Sequence, residues 1–485
     1  PKQVTKEVSS LTDIDIQQEV KKREDYRSVP CFTIDPESAR DFDDAISLVH
    51  LDHGRFELGV HIADVSYYVA EGSAIDREAY ERGTSVYFVN NVIPMLPERL
   101  SHDLCSLKPH TDRLAFSVIM EIDSRGIVQK YRIRETIIRS TVRFTYEEVE
   151  AIIEGKKHAH AKTIHLMVML SLILRRAREE MGSIDFDISE PAISLDAQGV
   201  PYAIRPRERI EANRLIEEFM LVANRIVAQH IFSQNTKKTQ KPFVYRVHEK
   251  PDEQSVRSFL ELLERLGLKY QLGKELESDD YRKILDIIEN LDYKYFIEKV
   301  ALRSMTKAYY SIKNEGHFGL AFDNYTHFTS PIRRYPDLVV HRLLKFYAQQ
   351  ERNKKKLLKS EIATLSKTLK ETCRHCSLRE IRATQAEREF IKLKSMEFLS
   401  SKVGERYEGV ISGIASFGMF VELSHYVIEG LVHVSELKDD HYEYDKEEYT
   451  LTGKKTGRVY RVGDAVNIRI KSVSKEEKKA DFLLV

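Results

Sequence analysis

Tryptophan is absent from the 485 residues, and the only cysteines are Cys31, Cys105, Cys373 and Cys376. So few and so scattered a set excludes a disulfide framework and points to free thiols in a reducing compartment, the cytoplasm. Long apolar runs are missing as well. The most hydrophobic stretch, LMVMLSLIL from Leu166, falls far short of the roughly 20 residues a membrane span needs and reads as one face of a buried helix. Neither sign of charge is in excess, since 76 Lys and Arg balance 76 Asp and Glu. No global field therefore draws the chain to nucleic acid or to an acidic membrane surface, and any polyanion site has to be a local basic channel. What is present, 42% hydrophobic and 31% charged residues over this length, suffices for a large core and suggests more than one domain.

The texture changes twice along the chain. TKEVSSLTDIDIQQEVKKRED near the start reads as a polar, amphipathic helix, and with no initiator Met the chain is expected to be a piece of a longer protein. RFELGVHIADVSYYV alternates and is rich in Val, Ile, Tyr and Phe, as a strand pairing near the first aspartates would be. From about Lys157 the 3.6-residue period takes over in RIEANRLIEEFMLVANRIVAQHIF, SVRSFLELLERLG and KYFIEKVALRSMTKAYYSI, so the middle is expected to be largely helical. A charge-rich stretch then leads to HCSLREIRATQAEREFIKLKSMEFLSS, a long surface helix or a helix pair. After Val403, short strands punctuated by glycine have the look of a small closed barrel. The fold class expected is α+β: a mixed part with a large helical component, then an all-β barrel. The divisions fall at residues 1–28, 29–400 and 401–485.

The densest chemistry is TIDPESARDFDDAISL, which sets Asp35, Asp41, Asp43 and Asp44 within ten residues. Two carboxylates about 4 Å apart repel by roughly 4 kcal/mol at an effective dielectric near 20, so such a group must be protonated, separated or neutralised. A divalent cation is the economical neutraliser, and oxygen-only donors favour Mg²⁺ or Mn²⁺ over zinc. A solvated acidic loop is the bland alternative, but the apolar CFTI and AISLV on either side should carry the cluster into a folded core. Metal-held carboxylates suit phosphoryl transfer. For the substrate's remaining charge, YTHFTSPIRRYPDLVVHRLLK from Tyr325 offers Arg333 and Arg334 in a turn bracketed by Pro331 and Pro336, and arginine grips phosphate with paired hydrogen bonds. Pairing with acidic neighbours is expected for Arg334 or Arg342, not for every arginine here. The lone CRHC at Cys373 lacks a partner pair and reads as two ordinary thiols. His317, His327 and His341 read as structural, with none assigned to catalysis.

TIDPESARDFDDAISL, GVHIADVSYYV, RGTSVYFVNNVIPMLPERLSHDLCSLKP, VYRVHEKP and HFGLAFDNYTHFTSPIRRYPDLVVHRLL, in that order across roughly residues 25 to 400, resemble the catalytic (RNB) domain of the ribonuclease II and ribonuclease R family of 3′→5′ exoribonucleases. ARDFDDA and VIPMLPERLS are more similar to the bacterial ribonuclease R branch. VGERYEGVISGIASFGMFVEL with EGLVHVSEL resembles an S1 RNA-binding domain, a five-stranded OB barrel. The resemblance implies that Asp35, Asp41 and Asp44 hold Mg²⁺, with Asp43 the residue whose loss stops hydrolysis while RNA still binds. It implies that Arg333 contacts phosphate and that Tyr87 and Phe186 clamp the 3′-terminal bases. Tyr146 and Glu218, with Glu217 as a competitor, would tell ribose from deoxyribose. It also implies two cold-shock domains ahead of residue 1 and often a lysine-rich tail, so the chain is expected to be trimmed or a reduced homologue.

Base stacking on aromatics contributes about 1–3 kcal/mol per base and ignores sequence, as a degradative enzyme requires. In the barrel, Phe417 and His433 are the expected RNA contacts, with Tyr407 and Phe420 beside them and Phe420 as readily core. Lys402, Arg461, Arg469 and Lys471 could follow the RNA backbone. The function expected is processive, Mg²⁺-dependent hydrolysis of single-stranded RNA from its 3′ end to nucleoside 5′-monophosphates, by a monomer without a membrane partner. A second Mg²⁺ at the cluster is inferred. The alternatives are an RNA-binding protein that kept the fold without catalysis, and a phosphorolytic exonuclease.

Overall fold

The computed structural model describes the chain from Pro1 to Val485 apart from residues 187–189, 237–239, 273–275, 292 and 446–448. A seven-stranded mixed sheet stands at its centre, in the order Glu24–Asp25, Val128–Arg139, Asp112–Ile122, Phe56–Ala63, Asp44–His50, Phe32–Asp35 and Val142–Thr145. The two outermost strands pair in parallel and the inner ones antiparallel. Phe56–Ala63 and Asp112–Ile122 are covered along most of their length, so their sequences run apolar where a one-sided sheet would alternate. Polar residues within them are paired: His61 Nε2 meets Ser47 Oγ at 2.9 Å, His61 Nδ1 meets Ser117 Oγ at 2.7 Å, and Ser117 meets Thr136 at 2.6 Å. Unpaired, each would cost more than the strand gains by burying it.

Helices close over this sheet. Glu211–Gln234 presents Ala212, Leu215, Phe219, Val222, Ile226 and Val227 to the main core at helical spacing, which holds it there by apolar burial. Tyr146–Ile153 starts directly after its strand, because Thr145 and Glu148 form a reciprocal capping box. The expected long helix is a single one, Lys359–Ser400. Its end contributes Met396, Phe398 and Leu399 to a second core with the C-terminal barrel, and Lys299 of the helix Lys294–Ser304 pairs with Glu422 of the barrel at 2.6 Å. The barrel closes through Arg406–Ala415, Gly418–Leu423, Ile428–His433, Lys479–Leu484 and Ala465–Ser474.

Three sequence expectations need correction. The N-terminal lead-in is two helices, Lys2–Ser10 and Ile16–Glu19, because Asp15 turns back to cap the second, accepting the Gln18 N–H at 3.2 Å. The strand read through SYYV stops at Ala63, and Val65–Tyr68 is a short helix: Asp64, fully buried, is held by Arg23 at 2.8 Å and Lys345 at 2.6 Å. Between the barrel's third and fourth strands in sequence stands an unforeseen three-stranded sheet, Tyr442–Asp445, Thr450–Gly453 and Val459–Arg461. Among the described residues no helix is long and apolar enough to cross a membrane.

Candidate active site

The aspartates stand at the two ends of a hairpin loop. Asp35 is the last residue of one strand and Asp44 the first of the next, and the register Phe32 to Ile46 sets these ends beside each other. The loop is pinned mostly by its backbone. Phe42 O accepts the Leu107 N–H at 3.1 Å and Asp43 O the Ala63 N–H at 2.8 Å. Ser106 Oγ accepts from Phe42 N–H and donates to Arg40 O, and Arg143 Nη2 donates to the carbonyls of Pro36 and Glu37 at 2.7 and 2.9 Å. Phe42 between Asp41 and Asp43 is buried in the main core.

Asp43 Oδ1 accepts the Ile332 N–H at 2.8 Å, and its Oδ2 lies 3.7 Å from Arg333 Nε. The turn Ser330–Arg333 therefore roofs the aspartate loop, with Arg333 partly open to solvent and its Nη2 on Ser330 Oγ at 2.9 Å. Burial pushes Asp43 well above the usual carboxylate range, opposed by Arg333 and the Ile332 N–H. It pushes Asp35 up too, with the charges of Asp44 and Asp41 adding, and it raises Asp44 against the pull of Arg333 and Arg334. Each shift states that the ionised cluster is costly as it stands. Asp35 Oδ2 and Asp43 Oδ2 are buried with no hydrogen-bond partner among the described residues. Buried, unsatisfied, oxygen-only donors whose charge is uncompensated fit a hard divalent cation. Among the described residues no three such groups are drawn together closely enough to enclose an ion.

Two expected RNA contacts adjoin this cluster. Tyr146 opens its helix near enough for Asp44, Asp35 and Arg333 to act on its hydroxyl. Tyr87 is 39% exposed as a residue, and burial pushes its hydroxyl above the ordinary phenol range, with Arg333, Asp41 and Asp43 in reach. Gly83 makes its segment possible: at φ 72° it ends the helix Ala74–Arg82, and a Cβ there would stand 2.7 Å from Arg379 Cβ. The Tyr87 N–H is tied to Glu387 of the long helix at 2.7 Å.

Others are placed differently. Glu218, the carboxylate expected at the ribose, is engaged here by Arg178, whose Nη2 and Nε donate to it at 2.6 and 3.0 Å, both side chains buried. Glu217 pairs with Arg209 at 2.6 Å. Phe186 packs, half-buried, against a separate core that includes Phe259 and Tyr281, so its ring is engaged by apolar neighbours. Arg334 is turned inward, its Nη2 on Asp337 at 2.7 Å, and Arg342 pairs with Asp76 at 2.8 Å, so Arg333 is the arginine of this turn left partly open to solvent. In the barrel, Phe417 and His433 are exposed and neighbouring, since Gly418 is in register with His433. Phe420 lies edge-on to Phe417 at 6.0 Å and alternates with buried Met419 and Val421, so it faces outward and is not core. Tyr407 packs on Tyr426, Lys402 lies over Phe398, and Lys471 pairs with Glu436. His341 stacks on Phe328, His327 meets the Tyr310 hydroxyl and His317 takes the Leu320 N–H, each a structural arrangement. All four cysteines are buried and free.

Arg143 and Ser106 were missed by the sequence reading. Ser106 lies in SHDLCSLKP and Arg143 just before Tyr146, but their bonds are to main-chain atoms of the aspartate loop, which no side-chain pattern marks.

A mixed sheet with an acidic hairpin roofed by an arginine turn, followed by an OB barrel with outward aromatics, defines a two-part RNA-processing architecture. The profile of the RNB domain matches residues 23–350 and that of the S1 RNA binding domain residues 400–484. The chain belongs to the RNB family. It is 43% identical over 494 residues to ribonuclease R of Aquifex aeolicus, covering all of this chain and 68% of that protein. Ribonuclease R of Escherichia coli is 39% identical over 495 residues, of which the chain spans 60% of the length. The structure of Mycoplasma genitalium RNase R in complex with ribose methylated single-stranded RNA superimposes with a TM-score of 0.92 at 29% identity, covering all of this chain and 75% of that one.

Proposed function

We propose that the chain is a hydrolytic 3′→5′ exoribonuclease that removes nucleoside 5′-monophosphates from single-stranded RNA. The observation that carries the reading is Asp43: one oxygen fixed by the Ile332 N–H, the other buried and unpartnered, beside Arg333. A divalent cation held by Asp35, Asp41 and Asp44, Mg²⁺ or Mn²⁺ by the donor chemistry, would neutralise the phosphate and ease deprotonation of the attacking water. The protein's own groups do the rest. Arg333, partly exposed and not spent on a close ion pair, grips the phosphate. Tyr87 offers its ring to a terminal base and Tyr146 its hydroxyl to the ribose. Asp43 Oδ2 is free to orient water. Water adds to phosphorus, the bond to the preceding 3′ oxygen breaks with a proton passing to that oxygen, and the phosphate leaves on the released nucleotide.

Phe417 and His433 hold the incoming strand on the barrel, and the division at residue 400 separates capture from cleavage. The free, buried thiols fit a reducing compartment such as the cytoplasm. The relatives are ribonucleases R, one of them held in complex with single-stranded RNA, which supports this reading over a phosphorolytic or purely binding role.

The test follows a 5′-labelled RNA with Mg²⁺, with EDTA and with Asp43→Asn. Stepwise shortening with monophosphate release, lost in EDTA and in the variant while RNA still binds, is expected. Intact RNA under Mg²⁺ and Mn²⁺, or release of nucleoside diphosphates that requires inorganic phosphate, would overturn the reading.

A further inference from the structure

Behind the Ser330–Arg333 turn lies a carboxylate that the proposed chemistry does not use. Asp337 sits in the first turn of the helix Tyr335–Arg352 and is fully buried. Its Oδ1 accepts two bonds, from the Ser330 N–H at 2.8 Å and from Arg334 Nη2 at 2.7 Å. Ser330, so fixed, receives Arg333 Nη2 on its hydroxyl at 2.9 Å and the Arg334 N–H on its carbonyl at 2.9 Å. Two residues beyond Ser330, the Ile332 N–H reaches Asp43. On its other side the turn is stitched to the segment that carries Tyr87: Arg333 O accepts the Ser85 N–H at 2.9 Å and the Thr84 hydroxyl at 3.1 Å, and Gly83 O accepts the Tyr335 N–H at 3.0 Å. The turn thus touches the Asp43 carboxylate, the phosphate-gripping guanidinium and the stacking ring's strand at once.

A buried ion pair is weak support for stability, because apolar residues of the same volume do as well. Direction is what this pair supplies. Arg334 Nη2 lies inward on Asp337, whereas Arg333 is partly exposed with its Nε 3.7 Å from Asp43. Locking Arg334 inward leaves Arg333 as the guanidinium that the turn presents over the aspartate loop.

We propose that Asp337 is a positioning residue for phosphodiester cleavage: by holding Arg334 inward and the Ser330 N–H in place, it sets the Arg333 guanidinium and the Ile332 contact to Asp43. The inference rests on the exonuclease reading and deepens it. Substitution should lower the chemical rate and leave RNA affinity nearly intact, since the barrel and Tyr87 keep their contacts.

The full chain is compared with Asp337→Asn and Ser330→Ala by single-turnover nucleotide release in Mg²⁺, RNA affinity in EDTA, and thermal melting. Losing a charge-assisted contact is expected to slow release by about 10- to 100-fold, with affinity within about twofold. In an Arg333→Lys background, which lacks the Nη2 that Ser330 holds, the Ser330→Ala loss should largely vanish. Wild-type rates in a folded Asp337→Asn, or equal losses of Ser330→Ala in both backgrounds, overturn the proposal. Should Asp337→Asn melt about 10 °C lower, Ser330→Ala, which leaves the ion pair alone, decides. A wild type inactive with Mg²⁺ and Mn²⁺ overturns the exonuclease reading and this inference together; an active wild type with unaffected variants overturns only the inference.

Discussion

Glu218→Gln separates a structural glutamate from a ribose-reading one. The carboxylate and Arg178 are both buried, with side chains 4% and 5% exposed, and are joined by two contacts of 2.6 and 3.0 Å; a third bond, from Arg178 Nη1 to Ser183 Oγ, spans 2.6 Å. Gln keeps a carbonyl that accepts from Arg178 but removes the close counter-charge, leaving the buried guanidinium with neutral acceptors and the more distant Asp185 and Glu217, a loss of about 1–3 kcal/mol. In a unit of this size that is a fall of about 1–4 °C in melting temperature. Burial pushes the Glu218 carboxyl up even with Arg178 beside it, so the attraction does not fully offset the cost of removing the carboxylate from water. It follows that Glu218→Leu combined with Arg178→Met should be more stable than Arg178→Met alone. Melting of the full chain by far-UV circular dichroism gives the first quantity, and cleavage of an RNA beside a DNA of equal sequence gives the second. Discrimination between them should survive in whatever fraction of Glu218→Gln is folded. An unchanged melting temperature with lost discrimination would refute the argument and return Glu218 to the ribose.

Two further outcomes follow from groups away from the cluster. Burial holds the His61 imidazole down to about 4, whereas an unfolded histidine titrates near 6.5, so on acidification the unfolded state takes the proton first. Stability is full above about pH 6.5 and is lost down to about pH 4, by about 3 kcal/mol for this ring; urea midpoints of wild type minus His61→Gln across that window should show the slope, and parallel curves would contradict it. In the barrel, Gly430→Ala would put a Cβ 2.4 Å from two ring carbons of the fully buried Phe482, costing about 1–3 kcal/mol by overpacking. Its lowered melting temperature should be partly restored by Phe482→Leu, and no shift on Gly430→Ala would show that the ring has room.

The aspartate hairpin was legible because its chemistry is packed into one short stretch between apolar strands. Which glutamate of the pair 217 and 218 faces inward was not legible. Adjacent helical residues point about 100° apart, and the choice belongs to Arg178, forty residues earlier on another helix. The same holds for Arg333 and Arg334: two arginines in a turn are visible in sequence, but only Asp337 settles which is spent inside. For Phe186, offered as a clamp residue by resemblance, nothing local shows the helical core, with Phe259 and Tyr281, against which its ring packs. The second small sheet of the C-terminal part went unseen because its three strands have only 3 or 4 residues each, too short for an alternating pattern to stand out.

The joins of the site explain how an acidic loop can be built at all. Its position is fixed by main-chain groups from segments distant in sequence: Ala63 and Leu107 donate to the carbonyls of Asp43 and Phe42, and Ile332 donates to the Asp43 side chain. Main-chain donors bring partial positive charge without a cationic side chain, so they hold carboxylates in place without consuming the capacity of those carboxylates to bind a cation. Were lysines or arginines to pin the loop from within, each would satisfy an oxygen that now stands buried and free on Asp35 and Asp43. Arg333 fits this logic. At 3.7 Å from Asp43 it lowers the cluster's repulsion from a distance too long for a close ion pair, and its guanidinium stays partly open to solvent, as the proposed phosphate contact requires.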